Sequence, residues 1–148
     1  MSPDCDFCAI ARGDDTAVEV VGETSDWVAF FPLDPATPGH TLIVPREHVR
    51  DLWELDPERA SALMSAVIQV GRAIDGALHP DGMNLISSAG RAAEQSVFHL
   101  HLHVVPRWRD DGFGEIWPAG KRYEAAELGN VGEMIRSELN DGASGNTA

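Results

Sequence analysis

The sequence predicts an α+β fold, and three features carry that expectation. Short apolar, β-branched segments recur at 18–22, 26–33, 40–45, 83–88 and 97–105, bounded by turn residues. One stretch, 57–78, instead places Leu63, Met64, Val67, Ile68, Gly71, Ile74 and Leu78 at helical spacing. Clusters of proline, glycine and aspartate punctuate the chain between these segments.

Residues 1–16 read as a short polar segment around Cys5-Asp-Phe-Cys8. Segments 18–22 and 26–33 are two strands joined by the polar turn Glu23-Thr24-Ser25. Asp34-Pro-Ala-Thr-Pro-Gly39 reverses the chain into a third strand, 40–45, which Pro45 ends. Asp56-Pro57 is a helix start, a capping carboxylate followed by proline at the first helical position. The helix runs over 57–78 and its apolar stripe is core, until His79-Pro-Asp-Gly82 breaks it. A fourth strand, 83–88, leads through the loop 89–95 to the fifth segment. After Pro106, Trp108, Phe113, Ile116 and Trp117 lie among Gly, Asp and Pro, the texture of a loop. A short helix is expected over 123–139, weakened by Gly129 and Gly132. The expected organisation is a single domain over 1–140 with a disordered tail over 141–148.

Composition narrows the function. Hydrophobic content of 43% with 24% charged residues is that of an ordinary globular protein, and 148 residues suffice for one real core. A net charge of −13 argues against a nucleic-acid partner, which needs a basic footprint. It leaves a small phosphorylated ligand open, because a buried site answers to local donors. No apolar run approaches the roughly 18–20 residues that span a membrane, so no membrane partner is expected. The first residues lack a basic and apolar leader, and a cytoplasmic location is the default expectation. Two cysteines make a poor disulfide framework.

The most informative run is Val-Phe-His-Leu-His-Leu-His-Val-Val over 97–105. On a strand, alternate side chains take opposite faces, so Phe98, Leu100, Leu102 and Val104 can face a core. His99, His101 and His103 then line the other face, neighbours roughly 6.5–7 Å apart. Three imidazoles on one face admit two readings. They bind a metal, as His-x-His pairs on strands do. Alternatively, one is a nucleophile while the others position and neutralise phosphate oxygens.

Cys5 and Cys8 supply half of a tetrahedral zinc site, which two histidines would complete. His48, at the turn after the third strand, is placed to project as one of them. The plain alternative is two free thiols. A lone His40 opening a strand is ordinarily a hydrogen-bonded surface residue, and His79 reads as a helix-end residue favoured by the dipole. The small-residue loop 89–96 lets backbone N–H groups approach phosphate, with Arg91 and Ser96 as possible contacts.

Together these residues resemble the histidine-triad (HIT) family of nucleotide hydrolases and transferases. The resemblance is carried by His99-Leu-His101-Leu-His103-Val-Val-Pro-Arg preceded by Gln95-Ser-Val-Phe. Thr37-Pro-Gly-His40-Thr-Leu-Ile-Val-Pro-Arg-Glu-His48 matches a second block, and Cys5-x-x-Cys8 matches zinc-bearing bacterial members. It covers roughly residues 5–108, in order. It implies an antiparallel sheet of about five strands packed on the 57–78 helix, in a homodimer. It implies an enzyme in which His101 attacks the α-phosphorus of a nucleoside phosphate derivative, forming a covalent histidine–nucleotide intermediate. Phosphoramidates and dinucleoside polyphosphates, with purine nucleotides foremost, are the implied substrates. His103 would contact the α-phosphate and His40 would join the imidazole network. Cys5, Cys8, His48 and His99 would hold one structural zinc per chain. Ser96 and Gln95 match substrate-binding positions, and Phe7, Ile10, Phe30 and Leu33 are implied walls of the base pocket. Two positions depart from the family pattern. Phe31-Pro32 stands where many members carry a ribose-binding acid, with Asp34 two residues later, and Ser88 stands where asparagine is common. These departures motivate an alternative, a nucleotide-binding regulatory module with little or no turnover. A third reading uses the triad itself as the ligands of a metalloenzyme.

Overall fold

A computed structural model describes residues 5–120 and 122–144. The described residues divide into two compact units, one up to Phe113 and one from Gly114 onward. The first holds five strands: β1 (Val20–Glu23), β2 (Trp27–Phe30), β3 (Thr41–Pro45), β4 (Gly82–Ser87) and β5 (Leu102–Arg107). They form one sheet in the order β1-β2-β3-β5-β4, with every pairing antiparallel. The expected strands are all present with shifted ends: β1 reaches Glu23, β4 starts at Gly82, and β5 starts late and runs on to Arg107.

Alternation sorts the side chains between two cores. Ala29, Ile43, Leu102 and Val104 face helix α2 (Pro57–Leu78), which contributes Leu63, Ala66, Val67 and Ile74. Val28, Phe30, Leu42 and Val44 point the other way, onto helix α1 (Asp6–Arg12) with its Phe7, Ile10 and Ala11. Helix α2 begins and ends as expected, its Asp56 carboxylate accepting from the Glu58 and Arg59 N–H groups at 3.1 and 3.0 Å. His79 terminates it in a left-handed conformation (φ 48°), its N–H on the Asp75 carbonyl.

Two parts of the first unit depart from expectation. The polar opening segment contains helix α1, seven residues long, with no side-chain cap at Cys5. Its turn count is too small for a periodicity signal, and burial of Phe7, Cys8, Ile10 and Ala11 holds it. The histidine run is also not one continuous strand. Regular pairing starts at Leu102, and before it the Leu100 N–H turns to the Val49 carbonyl at 2.6 Å. His99 and His101 therefore precede the ladder.

The second unit carries helix α3 (Ala125–Ser144), 20 residues rather than the short helix expected over 123–139. Part of the tail expected to be disordered, 141–144, lies in this helix, and 145–148 lie outside the described residues. No helix among the described residues is long and apolar enough to cross a membrane.

Candidate functional site

Five of the six histidines lie along the β3–β5 pair, from His40 just before β3 to His48 just after it, and they sort into two groups. The register sets Leu42 opposite His103, which puts His103 on the α1 face of the sheet. The turn before β3 brings His40 to the same place. Buried Thr37 donates its hydroxyl to the Pro106 carbonyl at 2.8 Å, and its own carbonyl receives the His40 N–H. Nothing in the sequence marks Thr37 as an anchor, since the partner is a backbone atom 69 residues away.

The first group is His40, His101 and His103, and its hydrogen bonds fix the tautomers. The Ala36 N–H donates to His40 Nδ1 at 3.0 Å, so the His40 proton resides on Nε2. That Nε2–H donates to His103 Nδ1 at 2.9 Å, which leaves the His103 proton on its own Nε2. His103 is thus a neutral donor. His101 donates Nδ1–H to the His99 carbonyl at 2.7 Å, leaving Nε2 with a free lone pair. Its ring lies 4.9 Å from that of His103 and 5.2 Å from that of Phe7, both edge to face.

Burial disfavours the charged form of these imidazoles. Desolvation lowers the pKa of His40 and of His101, and the hydrogen bond to the His99 carbonyl opposes it only in part at His101. His103 is pushed down to about 4 by desolvation, then by its imidazole neighbours His101 and His40. A histidine lowered on folding is neutral when folded and takes up a proton on unfolding between the two values. The stability it leaves intact above about pH 6.5 is therefore lost as pH falls toward about 4. Thermal unfolding followed by circular dichroism should show Tm falling from pH 7 to pH 5. His103→Gln should make that decline shallower, and an unchanged slope would contradict the assignment.

The second group is Cys5, Cys8, His48 and His99. Their ligand atoms all lie within 4.8 Å of one another. His99 Nδ1 is 3.5 Å from both sulfurs, and His48 Nδ1 is 3.3 Å from Cys8 Sγ. Zinc–sulfur and zinc–nitrogen bonds at tetrahedral angles would separate such atoms by about 3.5–3.6 Å. His99 is fully buried and donates Nε2–H to the Pro45 carbonyl at 2.8 Å, so its Nδ1 lone pair faces the thiols. Desolvation pushes the same ring down to about 4, which favours the neutral, ligating form. Two thiols and two imidazoles closed on one point suit a metal ion, and these four residues are positioned to bind one.

The residues expected around the substrate are placed less uniformly. Gln95 is buried and both ends of its amide are engaged, Oε1 with the Gly90 N–H and Nε2 with the Arg50 carbonyl. It braces the loop before the triad. Phe30 is buried behind Phe7, their rings 5.5 Å apart, so Phe7 rather than Phe30 stands against His101. Leu33 and Asp34 are exposed on the turn between β2 and β3. Ser96 is exposed and Ser88 half-buried, and no described hydrogen bond joins either to the histidines. Arg91 stacks on the Phe98 ring at 5.3 Å. A separate cleft of about 380 Å³, lined by Trp27, Val49, Leu55 and Leu63, lies on the α2 face and contains no histidine.

Known proteins resemble this chain along most of its length. The HIT domain family model matches residues 15–110. The structure of SMU.412c from Streptococcus mutans UA159 superposes with a TM-score of 0.86 at 36% identity, covering 94% of this chain and 87% of that one. The adenosine 5'-monophosphoramidase hnt1 of Schizosaccharomyces pombe is 33% identical over 136 residues, 91% of this chain and 98% of that protein. A Zn-bound histidine triad family protein from Mycobacterium smegmatis matches at 33% identity and a TM-score of 0.67, covering 94% and 97% of the two chains. With a family model spanning most of its length and relatives of this identity along nearly all of it, the chain belongs to the HIT family.

Proposed function

We propose that this protein hydrolyses or transfers nucleotides at the α-phosphate through a covalent intermediate on His101. The observation that carries this reading is the Nδ1–H bond from His101 to the His99 carbonyl, which leaves Nε2 as a buried, neutral nucleophile. In the first step Nε2 bonds to the α-phosphorus of a nucleoside phosphoramidate or dinucleoside polyphosphate as the phosphorus–nitrogen or bridging phosphorus–oxygen bond breaks. The amine departs with a proton taken from solvent, or the remaining nucleoside polyphosphate departs as its anion. The imidazole becomes cationic as it attacks, and the His99 carbonyl accepts a stronger hydrogen bond from Nδ1–H at that moment. His103 Nε2–H donates to a non-bridging oxygen where negative charge accumulates. Water then attacks the phosphorus, the Nε2–phosphorus bond breaks, and a nucleoside monophosphate is released.

Cys5, Cys8, His48 and His99 hold a structural zinc in this reading, supported by the donor set and by the Zn-bound relative. Four protein ligands leave no open position for substrate, so the ion supplies rigidity rather than Lewis-acid chemistry. In this reading His99, the first histidine of the triad, serves structure while the other two serve the reaction. Ser96 and Asp34 are proposed to reach the phosphate and the ribose once substrate is seated.

The test is a panel of adenosine 5'-phosphoramidate, a dinucleoside polyphosphate and an adenylated amine, with release of nucleoside monophosphate as the readout. Turnover of at least one supports the enzyme. Tight nucleotide binding with no turnover of any supports the regulatory module instead.

Two copies are proposed to pair along β4. This strand is an edge of the sheet with Met83 and Leu85 exposed, and α2 exposes Met64 and Ile68. An unpaired apolar edge is a template for association. Leu85→Glu should convert a dimer to a monomer in light scattering, and a wild-type chain that is monomeric at micromolar concentration would refute the pairing.

A further inference from the structure

Helix α1 is too short to hold its own place. Isolated helices below roughly 12 residues are marginal in water, and this one has seven. Three grips fix it. At its N-terminal end, Cys5 and Cys8 face the Nδ1 atoms of His99 and His48. Along its middle, Phe7, Ile10 and Ala11 pack with Val28, Phe30, Leu42 and Val44. At its C-terminal end the Arg46 guanidinium donates to the Ala11 carbonyl, one of the last-turn carbonyls that lack a helical partner. The same guanidinium reaches the Thr24 carbonyl at 2.6 Å and the Glu23 carboxylate at 2.5 Å, tying α1 to the β1–β2 turn.

Arg46 also belongs to the metal centre by sequence. Pro45 beside it supplies the carbonyl that sets the His99 tautomer, and His48 follows two residues on. Segment 45–48 therefore orients one ligand, carries a second, and clamps the helix that bears the other two.

The helix reaches the reacting histidine as well. Phe7 lies between Cys5 and Cys8, and its ring stands edge to face with His101 at 5.2 Å, an interplanar angle of 84°. The His101 ring is held by one hydrogen bond at Nδ1 and by the Phe7 and His103 rings. Any shift of α1 removes one of these walls.

We propose that Arg46 and Phe7 are positioning residues that couple occupancy of the metal centre to the orientation of His101 through helix α1. The inference rests on the reading of Cys5, Cys8, His48 and His99 as a metal centre. Losing the ion frees the N-terminal end of α1, and Phe7 withdraws from the His101 ring. Arg46 sets how firmly the two thiols are presented to the ion.

The test uses the full chain with two readouts that need no turnover, zinc(II) affinity by chelator competition and the imidazole ¹⁵N resonances of His101. Arg46→Met should weaken zinc binding by about tenfold or more, and Arg46→Lys, which keeps the charge but cannot bridge three acceptors, by less. Phe7→Leu should hold zinc within about threefold of wild type, because it removes no ligand and keeps an apolar side chain in the packing of α1. Removing zinc from wild type should shift the His101 resonances and lower kcat more than it raises KM. In Phe7→Leu the resonances should already be displaced and respond little to zinc removal. Unchanged zinc affinity in Arg46→Met overturns the proposal, as does a full-sized His101 response in Phe7→Leu. If Arg46→Met does not fold, wild-type affinity in Arg46→Lys overturns it equally. A wild-type chain that fails to bind zinc defeats the metal-centre reading instead. The expected affinity and resonance changes without turnover defeat only the enzymatic one.

Discussion

His101→Gly should abolish turnover while leaving nucleotide affinity within about an order of magnitude of wild type, a gap of about 10⁴-fold or more in kcat. The size follows from what is removed. Without Nε2 there is no covalent route, and water must attack the phosphorus directly in a site that holds no comparable base, since His40 and His103 spend their facing nitrogens on each other. The retained affinity follows from what is kept, the His103 donor and the small-residue loop before the triad. Removing the donor alone, in His103→Ala, should cost less, about 10²–10³-fold, the usual loss for one charge-stabilising hydrogen bond. Steady-state kinetics and nucleotide titration on both variants give these numbers. Undiminished turnover in His101→Gly would remove His101 from the mechanism, and equal losses in both variants would remove the distinction between nucleophile and donor.

The proposed division of labour was only half legible in the sequence. Alternation along 97–105 placed three imidazoles together, and the resemblance assigned His99 to a metal and His101 to the reaction. The reason for that split is a backbone detail. The chain leaves the ladder before Leu102, so His99 turns toward His48, their rings 5.0 Å apart, while His101 stays beside His103. No side-chain pattern encodes the Leu100 bond to the Val49 carbonyl that produces this turn. The supports are the hardest to read for the same reason. Thr37 and Gln95 act on carbonyl and amide groups remote in sequence, and the tautomer of His40 is set by a backbone N–H at Ala36. By contrast, helix α2 was legible at both ends, because Asp56-Pro57 and His79-Pro80 act on their own neighbours. The burial of Phe30 shows the limit of a pocket wall carried over from a resemblance. An aromatic residue in a strand can back a site without touching its contents.

Replacing Cys8 with alanine should remove the metal and lower Tm by about 10 °C or more. Cys8 is fully buried and its sulfur lies within 3.5 Å of both ligand imidazoles. A ligand bound at about 1,000 times its dissociation constant stabilises a fold by about 4 kcal/mol, and each kcal/mol is about 2–5 °C in a domain of this size. Cys5→Ala should lose the metal too but fall less in Tm, since Cys5 is half-buried and leaves a smaller void. Chelation of the wild type should reproduce most of the Cys8→Ala loss, because the ion and not the sulfur's packing is the principal contributor. Metal analysis by inductively coupled plasma mass spectrometry, paired with thermal denaturation, separates the two contributions. One zinc per wild-type chain and none in either cysteine variant supports the closed four-ligand site. Metal retained after both cysteines are replaced, and required for turnover, would instead place the ion among the triad imidazoles and make the reaction metal-dependent. The tautomer of His103 argues against that outcome: its Nδ1 already accepts the proton of His40 and has no lone pair left for a metal.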